Sequence, residues 1–223
     1  MAGRDTQNAI SQFPELHDRW QTLWHRTFDP ASQAERDRLF AALTRAYSQP
    51  HRAYHTLNHV AHCLSLLDEF LDRAEHPDAL AFALWFHDAV YDLWSAKNEV
   101  RSAAWAAEAL SGAGASPEFA ERVRALVLDT RHDAAPDTPD GRLIADIDLA
   151  ILGAAPERYR KYEDRIAREY QVVPRFIFRR KRASLLEAFL RQSALYHTDS
   201  FRERFEARAR KNLSEAVSRL RDG

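Results

Sequence analysis

A chain of 223 residues has room for one substantial domain with a real core, or for two small ones. Its 32 basic and 33 acidic residues leave a formal net charge of −1, which argues against a general nucleic-acid binder, because such proteins carry a clear basic excess. A single cysteine, Cys63, excludes an intramolecular disulfide framework and fits a reducing compartment. No apolar stretch is long enough for a bilayer and residues 1–12 lack an apolar signal region, so no membrane association and a cytoplasmic setting are expected.

Apolar residues recur at helical spacing throughout, glycine is scarce (6 in all), and period-2 alternation is almost absent, so the chain reads as all-α. Leu16, Trp20, Leu23 and Trp24 mark a first helix. Leu39, Leu43 and Tyr47 mark a second, ended by Pro50. A third runs over 56–73 with Leu57, Val60, Leu64, Leu67 and Leu71 on its apolar side. Pro77 opens a fourth at the first turn, where proline is tolerated, and the pattern carries it through His87 and Asp88 to Asp92. Further helices are expected over 98–110, 117–130, 142–152, 156–170, 174–195 and 200–220. The stretch 133–141, with Pro136 and Pro139-Asp140-Gly141, is the most loop-like internal segment. No repeat, linker or composition shift divides the chain, and a single domain over 1–223 is the simplest organisation.

Chemistry is concentrated where polar groups interrupt apolar runs. His87-Asp88 follows Leu80, Phe82, Leu84, Trp85 and Phe86, and a carboxylate buried there needs a partner or a metal. Imidazole and carboxylate together suit divalent transition metals. Four histidines, His51, His55, His59 and His62, fall in one short segment; His55, His59 and His62 share a face if their helix starts early enough. Each taken singly reads equally well as a surface or satisfied core histidine. Asp92, one turn beyond Asp88, shares its face and could orient or deprotonate a metal-bound water without being a ligand. Asp146 and Asp148 interrupt another apolar run, and at two residues apart they face differently, so they should have different roles. His132 ends a predicted helix, where it could support the site, hold a second metal, or simply answer the helix dipole.

A histidine, a His-Asp pair and a distant aspartate within an all-α chain resemble the HD-domain superfamily of metal-dependent phosphohydrolases. The resembling residues are His59, His87-Asp88 and Asp148, within Tyr54-His55-Thr56-Leu57-Asn58-His59, Phe86-His87-Asp88-Ala89-Val90-Tyr91-Asp92 and Asp146-Ile147-Asp148-Leu149. The resemblance covers about residues 54–212. It implies a single globular multi-helix bundle with a core over about 54–152 and the terminal helices packed on it. It implies one divalent cation (Mn, Fe, Co, Ni, Mg or Zn) held by His59, His87, Asp88 and Asp148. Asp146 is the alternative to Asp148, and His55 and His62 are alternatives to His59. Two-metal branches carry extra histidines before the last aspartate; only His132 stands there, which favours one metal.

The implied reaction is attack of a metal-activated water on a phosphoester or phosphoanhydride. Asp92 and Glu99 are the candidates to position that water or carry its proton. Arg52, Lys97 and Arg131 are the candidates to grip phosphate, with the basic run 179–182 reading either as a solvated face or as a phosphate-facing patch. The expected substrate is a nucleotide or another small phosphorylated metabolite. Two other readings stay open at this point: an iron-pair oxygenase on the same scaffold, and a non-catalytic ligand-binding module. Nothing in the pattern speaks to oligomeric state.

Overall fold

Prolines decide where the helices begin. In the computed structural model, which describes residues 13–28 and 33–222, five helices carry a proline in the first turn, where its missing N–H costs nothing and its fixed φ is already helical. The α-helices are α1 (Pro14–Thr27), α2 (Gln33–Tyr47), α3 (Leu57–Glu69), α4 (Pro77–Phe86), α5 (Asn98–Gly112), α6 (Pro117–Asp129), α7 (Pro139–Leu149), α8 (Pro156–Glu169), α9 (Arg175–Arg191) and α10 (Ala207–Asp222). Short 3-10 turns, Leu71–Arg73 and Ala150–Gly153, follow α3 and α7; a helical turn, Asp199–Phe201, and a π-turn, Arg202–Glu206, lead into α10. Among the described residues there is no strand, and no helix is long and apolar enough to cross a membrane.

The bundle is organised around α4. Every residue from Ala79 to Phe86 is buried, so this helix is apolar all round and sits in the centre, as such helices must. It contacts α1, α3, α5, α6 and α7. Trp20 and Trp24 of α1 meet Phe82 edge-on at 5.5 and 6.3 Å between ring centroids, and Trp20 meets Trp85 at 5.3 Å. The polar edge of the cluster is satisfied: Trp20 Nε1 donates to Arg36 O at 3.0 Å and Tyr47 Oη to Trp85 O at 3.0 Å. A second layer is the pair α9–α10, with α10 seated on the Ala150–Gly153 turn. There the backbones approach closely: a Cβ on Gly153 would stand 2.6 Å from Phe205 Cβ and 2.8 Å from Phe205 O. Asn212 Nδ2 fastens the same turn by donating to Leu152 O and Ala154 O at 2.8 and 2.9 Å.

The helix expected over 174–195 ends at Arg191, the one expected over 200–220 is interrupted by the π-turn, and three further elements differ from the sequence expectation. The third helix stops at Glu69, with the Phe70 N–H shared between Leu66 O and Leu67 O. The segment 139–141 is not loop but the first turn of α7: Thr138 caps it by accepting from Gly141 N at 3.0 Å, and Pro139 takes the first helical position. The fourth helix ends at Phe86, so His87-Asp88 lies on the turn that leaves it and Asp92 is on no helix. The reason is a competition for backbone groups. In a continued helix Asp88 O would accept from Asp92 N; instead it accepts from Arg52 Nη1 at 2.7 Å, and Asp92 N donates to Asn98 Oδ1 at 3.0 Å.

Phe82 packs its ring on Trp20, Trp24, Phe28 and Phe119 and is fully buried. Phe82→Ala should lower unfolding free energy by about 3–5 kcal/mol. Chemical denaturation measures this, and a loss below about 1 kcal/mol would show that the cluster around α4 is not the centre of the core.

Candidate metal centre

The ends of three helices meet beside α4. His59 stands in the first turn of α3, His87 and Asp88 on the turn after α4, and Asp148 in the last turn of α7. Both α3 and α7 pack on α4. Their polar atoms converge. His59 Nε2 is 3.0 Å from His87 Nε2 and 3.1 Å from Asp148 Oδ1. Asp88 Oδ2 is 3.1 Å from His87 Nε2 and 3.7 Å from His59 Nε2, and His87 Nε2 is 3.5 Å from Asp148 Oδ1. Ligand atoms about 2.1 Å from one ion stand about 3.0 Å apart at right angles and about 3.4 Å apart at the tetrahedral angle. The five separations bracket those values.

Cys63, one turn after His59, and not Asp88, joins His59, His87 and Asp148 in the grouping whose ligand atoms all lie within 4.8 Å of one another, a buried cluster that could hold a metal ion. The Cys63 sulfur is 3.7 Å from both ring nitrogens of His59, so it lies alongside the imidazole rather than on the axis of the Nε2 lone pair. Burial pushes its thiol well up, with the Asp148 and Asp88 charges adding to the effect.

The donor chemistry fits a cation. His87 Nδ1 faces Leu84 O at 2.9 Å and can only donate there, which leaves Nε2 to carry the lone pair in the neutral ring. Burial disfavours charge on Asp88, Asp148 and His87 alike. The opposing charges prevail: His87, then His55, hold the Asp88 carboxyl below its usual range, and hydrogen bonds from His132, His59 and His87 hold Asp148 well below it. Reciprocally, Asp88 and Asp148 raise His87 well above an ordinary histidine against the effect of burial. Two neighbouring half-buried carboxylates call for positive charge, and a divalent cation would supply it in place of the imidazolium proton.

His132 completes the surroundings of Asp148. Its Nε2 is 2.8 Å from Asp148 Oδ2, the oxygen turned away from His59. Its backbone has φ 55°, the single positive value at a non-glycine position among the described residues. That conformation costs on the order of 1 kcal/mol and persists where surroundings enforce it. The grouping opens onto a cavity of about 370 Å³ walled by Tyr54, His55, Tyr91, Glu99, Arg131, Tyr162, Tyr170, Arg182 and Phe189, with Asp88, Asp148 and His132 also lining it. The hydroxyl of Tyr54 is buried with no hydrogen-bond partner among the described residues.

Other sequence candidates fall elsewhere. Asp146 faces away from the cluster and binds the segment before the Asp199–Phe201 turn: it accepts from His197 N at 2.7 Å, Thr198 N at 2.8 Å and Thr198 Oγ1 at 2.6 Å. His62 shares the helix but not the grouping; burial and the nearby Arg158 push its pKa down to about 4. His55 precedes α3 and reaches the cavity wall with Nδ1 on Glu169 Oε2 at 2.7 Å. Burial lowers its proton affinity, but Asp88, Glu169 and Asp148 outweigh it and raise the pKa overall.

Arg52, expected to grip phosphate, is instead a buried strut. It donates to His55 O at 3.0 Å, Asp88 O at 2.7 Å and Ala89 O at 3.0 Å, with the guanidinium over the rings of Tyr47 and Tyr91. Asp92 is exposed and accepts from Trp94 N at 3.0 Å, and neither it nor Lys97 lines the cavity; Glu99 and Arg131 do. Arg131 is exposed and paired with Asp133 at 2.7 Å. Members of the basic run 179–182 part ways in the fold. Arg179 caps α10 at Leu220 O, Arg182 is buried against Glu163 and the Tyr162 hydroxyl, and Arg180 and Lys181 are exposed.

Two participants escaped the sequence analysis. Cys63 carried a legible signal, four residues after His59 on one helical face. Glu169, at the end of a strongly polar helix, carried none. A second grouping, Glu75, His76 and Asp140, joins helix starts: the Asp140 carboxylate accepts from Glu75 N at 2.8 Å and His76 N at 2.9 Å. In comparisons with protein-family models, curated proteins and solved structures, nothing matches this chain, so the geometry alone carries the functional argument.

Two measurements separate these roles. Asp146→Ala orphans two peptide N–H groups and should lower stability by about 2–4 kcal/mol while leaving metal content intact; metal loss without loss of stability would reverse the assignment of the two aspartates. His62 has a folded pKa below its unfolded value of about 6.5, so the unfolded chain binds its proton first. The stability it contributes is present above that value and lost as pH falls toward about 4. Denaturation midpoints of wild type and His62→Gln should diverge over this window, and parallel curves would contradict the burial of a neutral imidazole.

Proposed function

We propose that this chain is a metal-dependent phosphohydrolase of the HD type, acting on a nucleotide or another small phosphorylated metabolite. The observation that carries the reading is the convergence of His59 Nε2, His87 Nε2, Asp88 Oδ2 and Asp148 Oδ1 at ion-binding separations beside a cavity of about 370 Å³. A cavity of that size suits a small metabolite and not a polymer. A cation held by these four residues would lower the pKa of a bound water and polarise a phosphoryl oxygen. Two imidazoles favour Mn, Fe, Co, Ni or Zn over Mg, which prefers oxygen ligands.

The chain's own side chains supply the rest. His132 holds Asp148 Oδ2 and leaves Oδ1 for the ion, the outer support that metal-binding carboxylates require. Arg131 offers a guanidinium at the cavity wall for phosphate oxygens. Tyr54, Tyr91, Tyr162 and Phe189 provide aromatic surface for the remainder of the substrate.

Metal-stripped protein, resupplied separately with Mn²⁺, Co²⁺, Ni²⁺, Fe²⁺, Zn²⁺ or Mg²⁺, should hydrolyse at least one member of a panel of nucleotides and phosphorylated metabolites. Asp148→Ala and His87→Ala should each lose bound metal and activity with helicity unchanged by circular dichroism. Full metal occupancy in both variants would sink the proposal.

A further inference from the structure

Glu169, the last residue of α8, is buried and makes five hydrogen bonds, four to residues 53–55 and one to Tyr91. Its Oε1 accepts from the peptide N–H groups of Ala53, Tyr54 and His55 at 2.8, 2.8 and 2.9 Å. Its Oε2 meets His55 Nδ1 at 2.7 Å and accepts from Tyr91 Oη at 2.9 Å. Three peptide bonds would suffice to fix the turn before α3. The second oxygen has another effect: it fixes the imidazole of His55.

A carboxylate accepts and does not donate, so His55 Nδ1 carries a hydrogen and its direction is set. The ring is held between Tyr54 and Tyr91, with centroids 5.0 and 4.4 Å away. Its Nε2 makes no hydrogen bond among the described residues. The side chain keeps 20% of its surface open and lines the same cavity as Asp88 and Asp148. Nε2 is therefore the one polar atom of this ring that a bound molecule can meet.

We propose that His55 delivers a proton to the leaving oxygen of the substrate and that Glu169 is the positioning residue that aims it. The inference rests on the phosphohydrolase reading and gives it a proton donor. As water oxygen bonds to phosphorus, the bond from phosphorus to the leaving oxygen breaks. In this step His55 begins as the imidazolium: the leaving oxygen keeps the electron pair and takes the Nε2 hydrogen, the ring becomes neutral with its remaining hydrogen on Nδ1 against Glu169, and the proton released by the water restores the imidazolium through solvent. The products are an alcohol and inorganic phosphate.

The test uses full-length protein loaded with the activating metal, and two phosphate monoesters, p-nitrophenyl phosphate and an alkyl phosphate. Loss of a proton donor harms the poor alkoxide leaving group far more than nitrophenolate. His55→Ala should lower kcat on the alkyl ester by about 100-fold or more, change p-nitrophenyl phosphate much less, and leave KM and metal content unchanged. Glu169→Gln keeps an amide oxygen for the three peptide N–H groups but sets an NH₂ against His55 Nδ1, so it should show the same leaving-group pattern. The double variant should be no slower than His55→Ala.

Long-range proton–nitrogen NMR of the imidazoles supplies a readout independent of turnover: His55 Nδ1 should bear a proton in wild type and lose it in Glu169→Gln. His55→Ala removes no acceptor from the backbone and keeps the test open if Glu169→Gln does not fold. An equal loss on both esters, metal loss from His55→Ala, or a wild-type Nδ1 without a proton overturns the inference alone. A wild type inert toward every phosphate ester overturns it together with the phosphohydrolase reading.

Discussion

The guanidinium of Arg52 is the constraint on which the site depends. It binds the carbonyls of His55, Asp88 and Ala89, and so joins the turn before α3 to the turn after α4. By taking Asp88 O, two residues beyond the end of α4, it fastens the turn that carries His87 and Asp88 and keeps that carbonyl from continuing a helix toward Asp92. Hydrogen bonds from a charged donor are worth about twice neutral ones, and burial between Tyr47 and Tyr91 strengthens them further. A lysine here could not hold three carbonyls in two directions.

Charge gives the site its second organising rule. His87, Asp88 and Asp148 share one space: the two carboxylates raise the pKa of His87 against burial, His87 and His55 hold Asp88 down, and His132, His59 and His87 hold Asp148 down, while each carboxylate's charge opposes the other's. The arrangement tolerates two carboxylates side by side only with positive charge between them. Other buried or half-buried acids nearby have partners of their own. Asp146 and Asp140 are each satisfied by peptide N–H groups, and Glu163 by Arg182. Asp88 and Asp148 are left facing the cavity beside two imidazoles.

Much of this was legible in the sequence, because helix periodicity and proline punctuation are local. The all-α bundle follows from apolar spacing, and His87-Asp88 stood out as polar residues closing an apolar run. What escaped was decided by contacts distant in sequence. Asp92 reads as one turn beyond Asp88 until a residue 36 positions before Asp88 takes the carbonyl that would have continued the helix. Arg52 reads as a phosphate ligand because a guanidinium's partners cannot be told from its neighbours when those partners are backbone oxygens. Asp146 and Asp148 sit in the same apolar run, and only the packing of the Asp199–Phe201 turn separates their roles. Glu169 lies among arginines and glutamates on a helix whose sequence looks solvated, so its burial has no local signature.

The bonds of Glu169 also set an order of assembly. The contact from Ala53 N to Glu169 Oε1 spans 116 positions, whereas the longest contact within the cluster, His59 to Asp148, spans 89. Closing the longer loop costs more chain entropy, and non-local contacts of this kind form slowly. During synthesis, α1 to α7 can gather around α4 while α8 is still inside the ribosome. The cluster of His59, His87, Asp88 and Asp148 is then complete before the cavity that covers it, and for that interval it stands open to whatever ions the surrounding solution holds.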